Sequence, residues 1–148
     1  MAAGSIRCKL EPLVLAFLRI YLGVVMAAHG WLKIQDFGPT VEAFTKMGMP
    51  APKLMVMFAI AGEFGGGLGL IVGLLTPLAA LGVFITMAVA VFKVHWANGL
   101  FAKDGGFEFP GVLMFAALYF IFRGAGPISL DGLFCRGRSK QDAASNPG

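Results

Sequence analysis

The chain has 148 residues, of which 57% are hydrophobic and only 14% are charged, and its formal net charge at neutral pH is +4. Soluble domains average roughly 25% charged residues, and a domain of this size keeps much of its surface in water. The composition argues against a monomeric water-soluble enzyme and against a disordered chain, and it leaves the membrane class.

Apolar segments follow one another along the chain, and each is long enough, or nearly so, to cross a membrane as a helix of about 20 residues. They run over residues 13–32, 54–75, 78–95 and 110–122, the last being short. The sequence therefore predicts an all-α integral membrane protein whose domain, residues 13–133, is a four-transmembrane-helix bundle. A cytoplasmic amino-terminal tail (1–12) and a disordered cytoplasmic tail (134–148) flank that domain.

The loop after the first span carries apolar residues at helical spacing, namely Phe37, Val41, Phe44 and Met47. This spacing predicts a short amphipathic helix that lies on the membrane surface and ends near Gly48. Lysine and arginine are slightly more frequent in the tails than in the loops, and the amino-terminal flank of the first span is basic. Both termini are accordingly predicted to be cytoplasmic, in the inner (plasma) membrane, with loops 33–53 and 93–109 outside.

The second span contains a stripe of glycines, which are Gly62, Gly66, Gly69 and Gly73. Small residues at this spacing let membrane helices approach closely. The stripe predicts tight packing within the chain, with a homo-oligomer (homodimer) interface or a groove for a flat ligand as the alternatives.

Arg19 and Glu63 are the charged residues that lie deepest in the predicted spans. Counting along the helices at 1.5 Å per residue puts them roughly 6 Å apart in depth, within reach of an arginine side chain. Because an unpaired charge there is costly, we expect an Arg19–Glu63 contact. The pair serves either helix packing alone or a functional role, as a proton relay or as a ligand anchor.

Further polar residues gather at the predicted outer mouth of the bundle: His29, Lys33, His95, Asn98, Asp104 and Glu108. Histidines and carboxylates can exchange protons near neutral pH and can hydrogen-bond the oxygens of a quinone ring. Metal-ligand spacing is missing from this set, so no metal site is assigned. The glycine- and aromatic-rich loop that follows His95 is expected to fold over the mouth as a lid.

Several short motifs occur in a fixed order along the chain: Leu18-Arg19, His29-Gly30 with Lys33, Glu63 among its glycines, Gly73-Leu74-Leu75-Thr76-Pro77, His95 with Asn98-Gly99, Asp104-Gly105-Gly106 with Glu108 and Pro110, and Leu130-Asp131. In this order they resemble the DoxX family of small four-helix bacterial membrane proteins. The resemblance implies a four-helix fold and an association with quinone-linked thiosulfate oxidation or with oxidative-stress systems.

The leading interpretation is a membrane subunit, at most one part of an oxidoreductase, that binds a quinone at the outer mouth. Glu63 and His95 would be catalytic, while Arg19 and the remaining polar residues of the mouth would bind the ligand. The sequence contains no haem, iron–sulfur or dinucleotide motif, so no intrinsic cofactor is expected, and a redox partner protein or the bound quinone would carry the electrons. The lipid bilayer is a partner, and nucleic acid is not.

Two other functions stay open on the sequence. The first is a non-enzymatic assembly module that recruits a partner protein. The second is a small transporter of a weak acid or a metal ion.

Overall fold

The computed structural model describes the backbone of residues 2–134 and the side chains of residues 10–134, and all regular secondary structure in this part is helical. The α-helices are α1 (Ala2–Gln35), α2 (Phe37–Lys46), α3 (Pro52–Ile60), α4 (Gly66–Val72), α5 (Thr76–Val89) and α6 (Glu108–Arg123). A π-helical turn, Ala61–Gly65, joins α3 to α4, and a second π-helical turn, Ala90–His95, continues α5.

Three continuous helical stretches are long and apolar enough to cross a membrane, and they are Leu10–Gln35, Pro52–Val72 and Thr76–Asn98. The all-helical prediction is thereby confirmed. The fourth predicted segment is also helical, but α6 has 16 residues. At 1.5 Å per residue it is about 24 Å long, which is shorter than a hydrocarbon core of about 30 Å. A fourth crossing stays a prediction.

The helix boundary that differs most from expectation lies at the amino terminus. Helix α1 begins at Ala2, within the predicted amino-terminal tail, because charged residues that end a hydropathy signal do not end a helix. The predicted tail over 134–148 lies outside the described residues except for its first member.

One buried cluster holds the helices together. Leu22 and Met26 of α1 meet Leu70 of α4, Val83 of α5 and Phe120 of α6 there. The outward faces are apolar as well, and Phe122 is 84% exposed. A helix that is apolar all round is typical of a segment in lipid.

Glycines set the distances between these helices. A Cβ atom on Gly67 would lie 2.5 Å from the backbone nitrogen of Ala27 in α1, and one on Gly66 would lie 2.8 Å from the carbonyl oxygen of Ala79 in α5. A Cβ on Gly62 would lie 2.8 Å from the carbonyl oxygen of Gly82. The predicted stripe thus packs within the chain, and association of two copies through this face stays a prediction.

The predicted amphipathic helix in the first loop is present as α2. It ends where predicted, because Gly48 adopts a positive φ of 68° directly after the last turn. None of its residues is buried, so α2 lies on the bundle rather than within it.

Candidate functional site

A cavity of about 690 Å³ lies between α3 and α5, at the end of the bundle where α2 packs. This volume is in the range of sites for small organic ligands. Its wall is mostly apolar and includes Phe44, Met47, Met49, Met55, Phe58, Gly62, Gly82, Ile85, Met87, Phe109 and Leu113. Its polar members are His29, Lys33, Glu63, Thr86 and His95.

The cavity wall includes exposed residues of α3 and α5. Phe58 and Ile85 line it and are also 59% and 54% exposed on the outer surface of the bundle. Both residues lie in the middle of stretches that are long enough to cross a membrane. The cavity wall is therefore partly exposed along two stretches that are long enough to cross a membrane.

The cavity wall contains one buried ion pair. Lys33 Nζ donates a hydrogen bond to Glu63 Oε2 at 2.5 Å. Glu63 is only 4% exposed, so its charge needs a partner in this apolar wall, and Lys33 supplies it. No donor among the described residues reaches the second oxygen, Oε1.

Glu63 and His95 lie on the two π-helical turns. Glu63 is in the middle of Ala61–Gly65, and His95 is the last residue of Ala90–His95. A π-helical turn inserts one extra residue into a helix, re-aims the side chains around it and is frequent at functional sites. The two residues that the sequence singles out as catalytic are therefore both placed by irregular turns on the cavity wall.

The orientation of the His95 ring is fixed by the loop that follows it. His95 Nδ1 lies 2.6 Å from the carbonyl oxygen of Gly105, and the Asn98 amide donates to the same oxygen at 3.1 Å. Because a carbonyl oxygen only accepts, Nδ1 carries the proton, and Nε2 is the acceptor in the neutral ring. Asn98 thus positions the loop that orients His95, and it does not line the cavity.

The predicted Arg19–Glu63 contact is wrong. Arg19 is buried, and it donates to the backbone carbonyl oxygens of Leu70, Ile71 and Ile128. The carbonyl groups of Leu70 and Ile71 lie at the carboxyl end of α4, where helical carbonyls have no partner in the helix and attract a cation. Lys33 meets the charge of Glu63 instead. Arg19 does not line the cavity.

Asp131 completes the structure around Arg19. Its carboxylate accepts hydrogen bonds from the backbone amides of Leu75 at 2.8 Å and of Thr76 at 2.9 Å, at the start of α5. Burial acts to raise the pKa of Asp131, but these hydrogen bonds and the charge of Arg19 outweigh it, so the pKa is lowered below the ordinary value. Asp131 is therefore a helix cap at the end of the bundle remote from the cavity.

Asp104 and Glu108 are exposed and do not line the cavity, although the sequence grouped them with it. Their loop folds on itself, with Trp96 stacked on Phe107 at 5.1 Å between ring centroids. It supplies few wall residues, whereas Phe44, Met47 and Met49 from α2 and the segment after it do line the cavity. The loop after His95 thus does not form the expected lid, and α2 and the segment after it contribute to the cavity wall instead. Within the described residues, no group of three histidine, cysteine, aspartate or glutamate side chains is placed to hold a metal ion.

Sequence reasoning brought together His29, Lys33, Glu63 and His95 correctly, since all four line the cavity. It missed the pairing of Lys33 with Glu63, which joins two different helical stretches. It also missed Asp131 as a cap for Thr76-Pro77. The sequence does show a helix start there, with no acidic residue in its own first turn.

Comparison with known proteins gives a consistent result. The family model described as DoxX matches residues 14–96. An uncharacterized protein of Haemophilus influenzae is 36% identical over 129 residues, which cover 85% of this chain and 94% of that protein. The inner membrane protein YqjF of Escherichia coli K12 is 30% identical over 135 residues, which cover 84% of this chain and 95% of that protein. No solved structure matches the chain.

Proposed function

The chain belongs to the DoxX family of membrane proteins, and on that premise we propose that its cavity binds a lipid-soluble quinone-type ring as the membrane subunit of a redox system. The observation that carries this proposal is an apolar cavity whose wall is partly exposed on two helices of membrane-spanning length and contains the Lys33–Glu63 ion pair and an oriented histidine. A quinone ring is flat and apolar, with oxygen atoms at opposite edges, and it supplies two-electron, two-proton chemistry when bound.

The residues of the cavity fit such a ring. Its volume of about 690 Å³ accommodates a ring with part of a tail, and the rest of the tail would pass the exposed wall residues of α3 and α5 into lipid. Met55, Met87 and Phe58 supply apolar contact, since methionine adapts to irregular shapes. Lys33 can donate to a ring oxygen, and Nε2 of His95 can hold a proton there. Electron transfer would require a partner protein, which we include in the proposal.

We also propose that α6 crosses the membrane and that both termini are cytoplasmic. Helix α6 packs on α5, and its outward residues Val112, Phe115 and Phe122 are 68%, 66% and 84% exposed. In a membrane, lipid chains would cover this exposed apolar face of α6.

Ligand binding is tested directly on the protein purified in mild detergent. We expect quinone to co-purify with the wild type and to be identified by mass spectrometry, and we expect added short-tailed ubiquinone to quench the tryptophan fluorescence of the protein saturably. His95→Ala should reduce both the quinone content and the affinity. The matched control is Asp104→Ala, which changes an exposed residue of the same loop outside the cavity.

Absence of bound quinone together with unsaturable quenching would overturn the proposal. A stoichiometric protein partner without any small ligand would favour the assembly module, and uptake into liposomes that depends on Glu63 would favour transport.

A further inference from the structure

The polar atoms that are free to meet a ligand in the cavity include two hydrogen-bond acceptors. The first is Glu63 Oε1, since Oε2 already accepts the hydrogen bond that Lys33 donates. An ionised carboxylate accepts hydrogen bonds and donates none. The second is His95 Nε2, since Nδ1 donates to the carbonyl oxygen of Gly105 at 2.6 Å.

We propose that the cavity selects a ring that bears hydroxyl groups, a quinol or related phenol, over the oxidised ring that bears carbonyl groups. A hydroxyl can donate a hydrogen bond to Glu63 Oε1 or to His95 Nε2. A carbonyl oxygen beside either atom forms no hydrogen bond with it, because both atoms are acceptors and neither carries a proton. A buried acceptor that faces another acceptor has lost its hydrogen bonds to water and gains none in return, which costs free energy. This inference rests on the proposed function and adds to it that the reduced form of the ring binds more tightly than the oxidised form.

Hydrogen-bond donors in the cavity wall reduce the preference for the reduced ring but do not abolish it. Lys33 Nζ has further N–H groups besides the one that Glu63 accepts, and His29 can act as donor or acceptor. Thr86 Oγ1, in contrast, donates to carbonyl oxygens of its own helix at 3.0 Å. The oxidised ring therefore keeps some favourable contact through Lys33, while it loses the contacts that Glu63 and His95 offer.

The test compares three probes of nearly equal shape by calorimetry in detergent without oxygen. They are a short-tailed ubiquinol, the corresponding ubiquinone, and the bis-O-methyl ether of the ubiquinol, which cannot donate hydrogen bonds. We expect the ubiquinol to bind about tenfold to a hundredfold more tightly than the other two, the value of a hydrogen bond to a charged acceptor.

Variants of Glu63 test whether this carboxylate causes the preference for ubiquinol over ubiquinone. Glu63→Gln supplies an amide that donates as well as accepts, so the ratio between ubiquinol and ubiquinone should fall by about threefold or more below the wild-type ratio, and His95 Nε2 accounts for what remains. If this variant does not fold because Lys33 is left unpaired, the double variant Glu63→Gln/Lys33→Met removes both charges and serves the same purpose. Glu42→Gln, an exposed glutamate on α2 outside the cavity wall, should keep the wild-type ratio.

The outcomes separate the two proposals. Equal binding of ubiquinol and ubiquinone, tighter binding of ubiquinone, or tight binding of the methyl ether would overturn the selection of hydroxyl groups and leave ring binding intact. Failure of all three probes to bind would overturn the proposed function as well.

Discussion

Arg19 and Asp131 stabilise the turn between α4 and α5 from opposite sides. Arg19 donates to carbonyl oxygens at the end of α4 and to that of Ile128, while Asp131 accepts from the amides that begin α5. The Asp131 amide in turn donates to the carbonyl oxygen of Gly73 at 2.9 Å. Gly73 has a φ of 68°, and a Cβ there would lie 2.5 Å from Arg19 Nη1, so only glycine fits.

Removing the Arg19 guanidinium should destabilise the protein strongly. Arg19→Met leaves three carbonyl oxygens without their donor, and we expect the free energy of unfolding in detergent to fall by about 2–4 kcal/mol. The matched control is Arg123→Met, which removes an exposed arginine that lies 3.4 Å from Glu11. A surface pair of that kind contributes about 0–1 kcal/mol. Equal losses in the two variants would contradict a structural role for Arg19.

The lowered pKa of Asp131 makes its contribution to stability depend on pH. A carboxyl whose pKa is depressed by folding stabilises the protein above its unfolded value of about 3.9, and this contribution is lost as the pH falls toward the folded value. We expect Asp131→Asn to lower Tm at pH 6 and the difference from wild type to shrink as the pH approaches 3. Asp104→Asn, in an exposed loop, is the control and should show no such convergence.

Hydropathy predicted the helices well because most of their surface faces lipid, so that nearly every position of α5 and of residues 12–28 in α1 is apolar. The Arg19–Glu63 pairing failed because counting depth along ideal helices ignores the groups that compete for a charge. Carbonyl oxygens at the end of α4 lie nearer to Arg19 than any carboxylate, and no property of the side-chain sequence marks them. The π-helical turns around Glu63 and His95 were also invisible, since they arise from close packing of the whole bundle.

Neighbouring glycines in the second span should respond oppositely to the same substitution. A Cβ on Gly67 would lie 2.5 Å from the Ala27 nitrogen and 2.7 Å from the Gly23 oxygen, whereas one on Gly65 meets nothing within 4 Å. We expect Gly67→Ala to lower the free energy of unfolding by about 1–3 kcal/mol, because α1 must move away. Gly65→Ala should be neutral or stabilising by up to about 1 kcal/mol, through helix propensity. Equal effects of the two substitutions on Tm would show that α1 does not pack this closely against α4 at Gly67.

The two ends of the bundle differ in how they are built. At the turn between α4 and α5, buried polar groups and backbone hydrogen bonds tie four segments of the chain together. At the other end, α2 contributes no buried residue, and the cavity lies beneath it. The proposed ligand would therefore exchange at the cavity end, while the other end keeps the helices in place.

The number of membrane crossings can be decided with the full-length chain. Cys8 and Cys135 are replaced by serine, and a single cysteine is introduced by Asp104→Cys, in the loop before α6, or by Leu133→Cys, after it; both positions are exposed. If α6 crosses, a membrane-impermeant maleimide should label the first cysteine in intact spheroplasts and the second only after permeabilisation. Labelling of both from the same side would show that α6 returns to the side on which it begins. Labelling with the sides exchanged would instead place both termini outside, and the cavity would then open near the cytoplasmic surface.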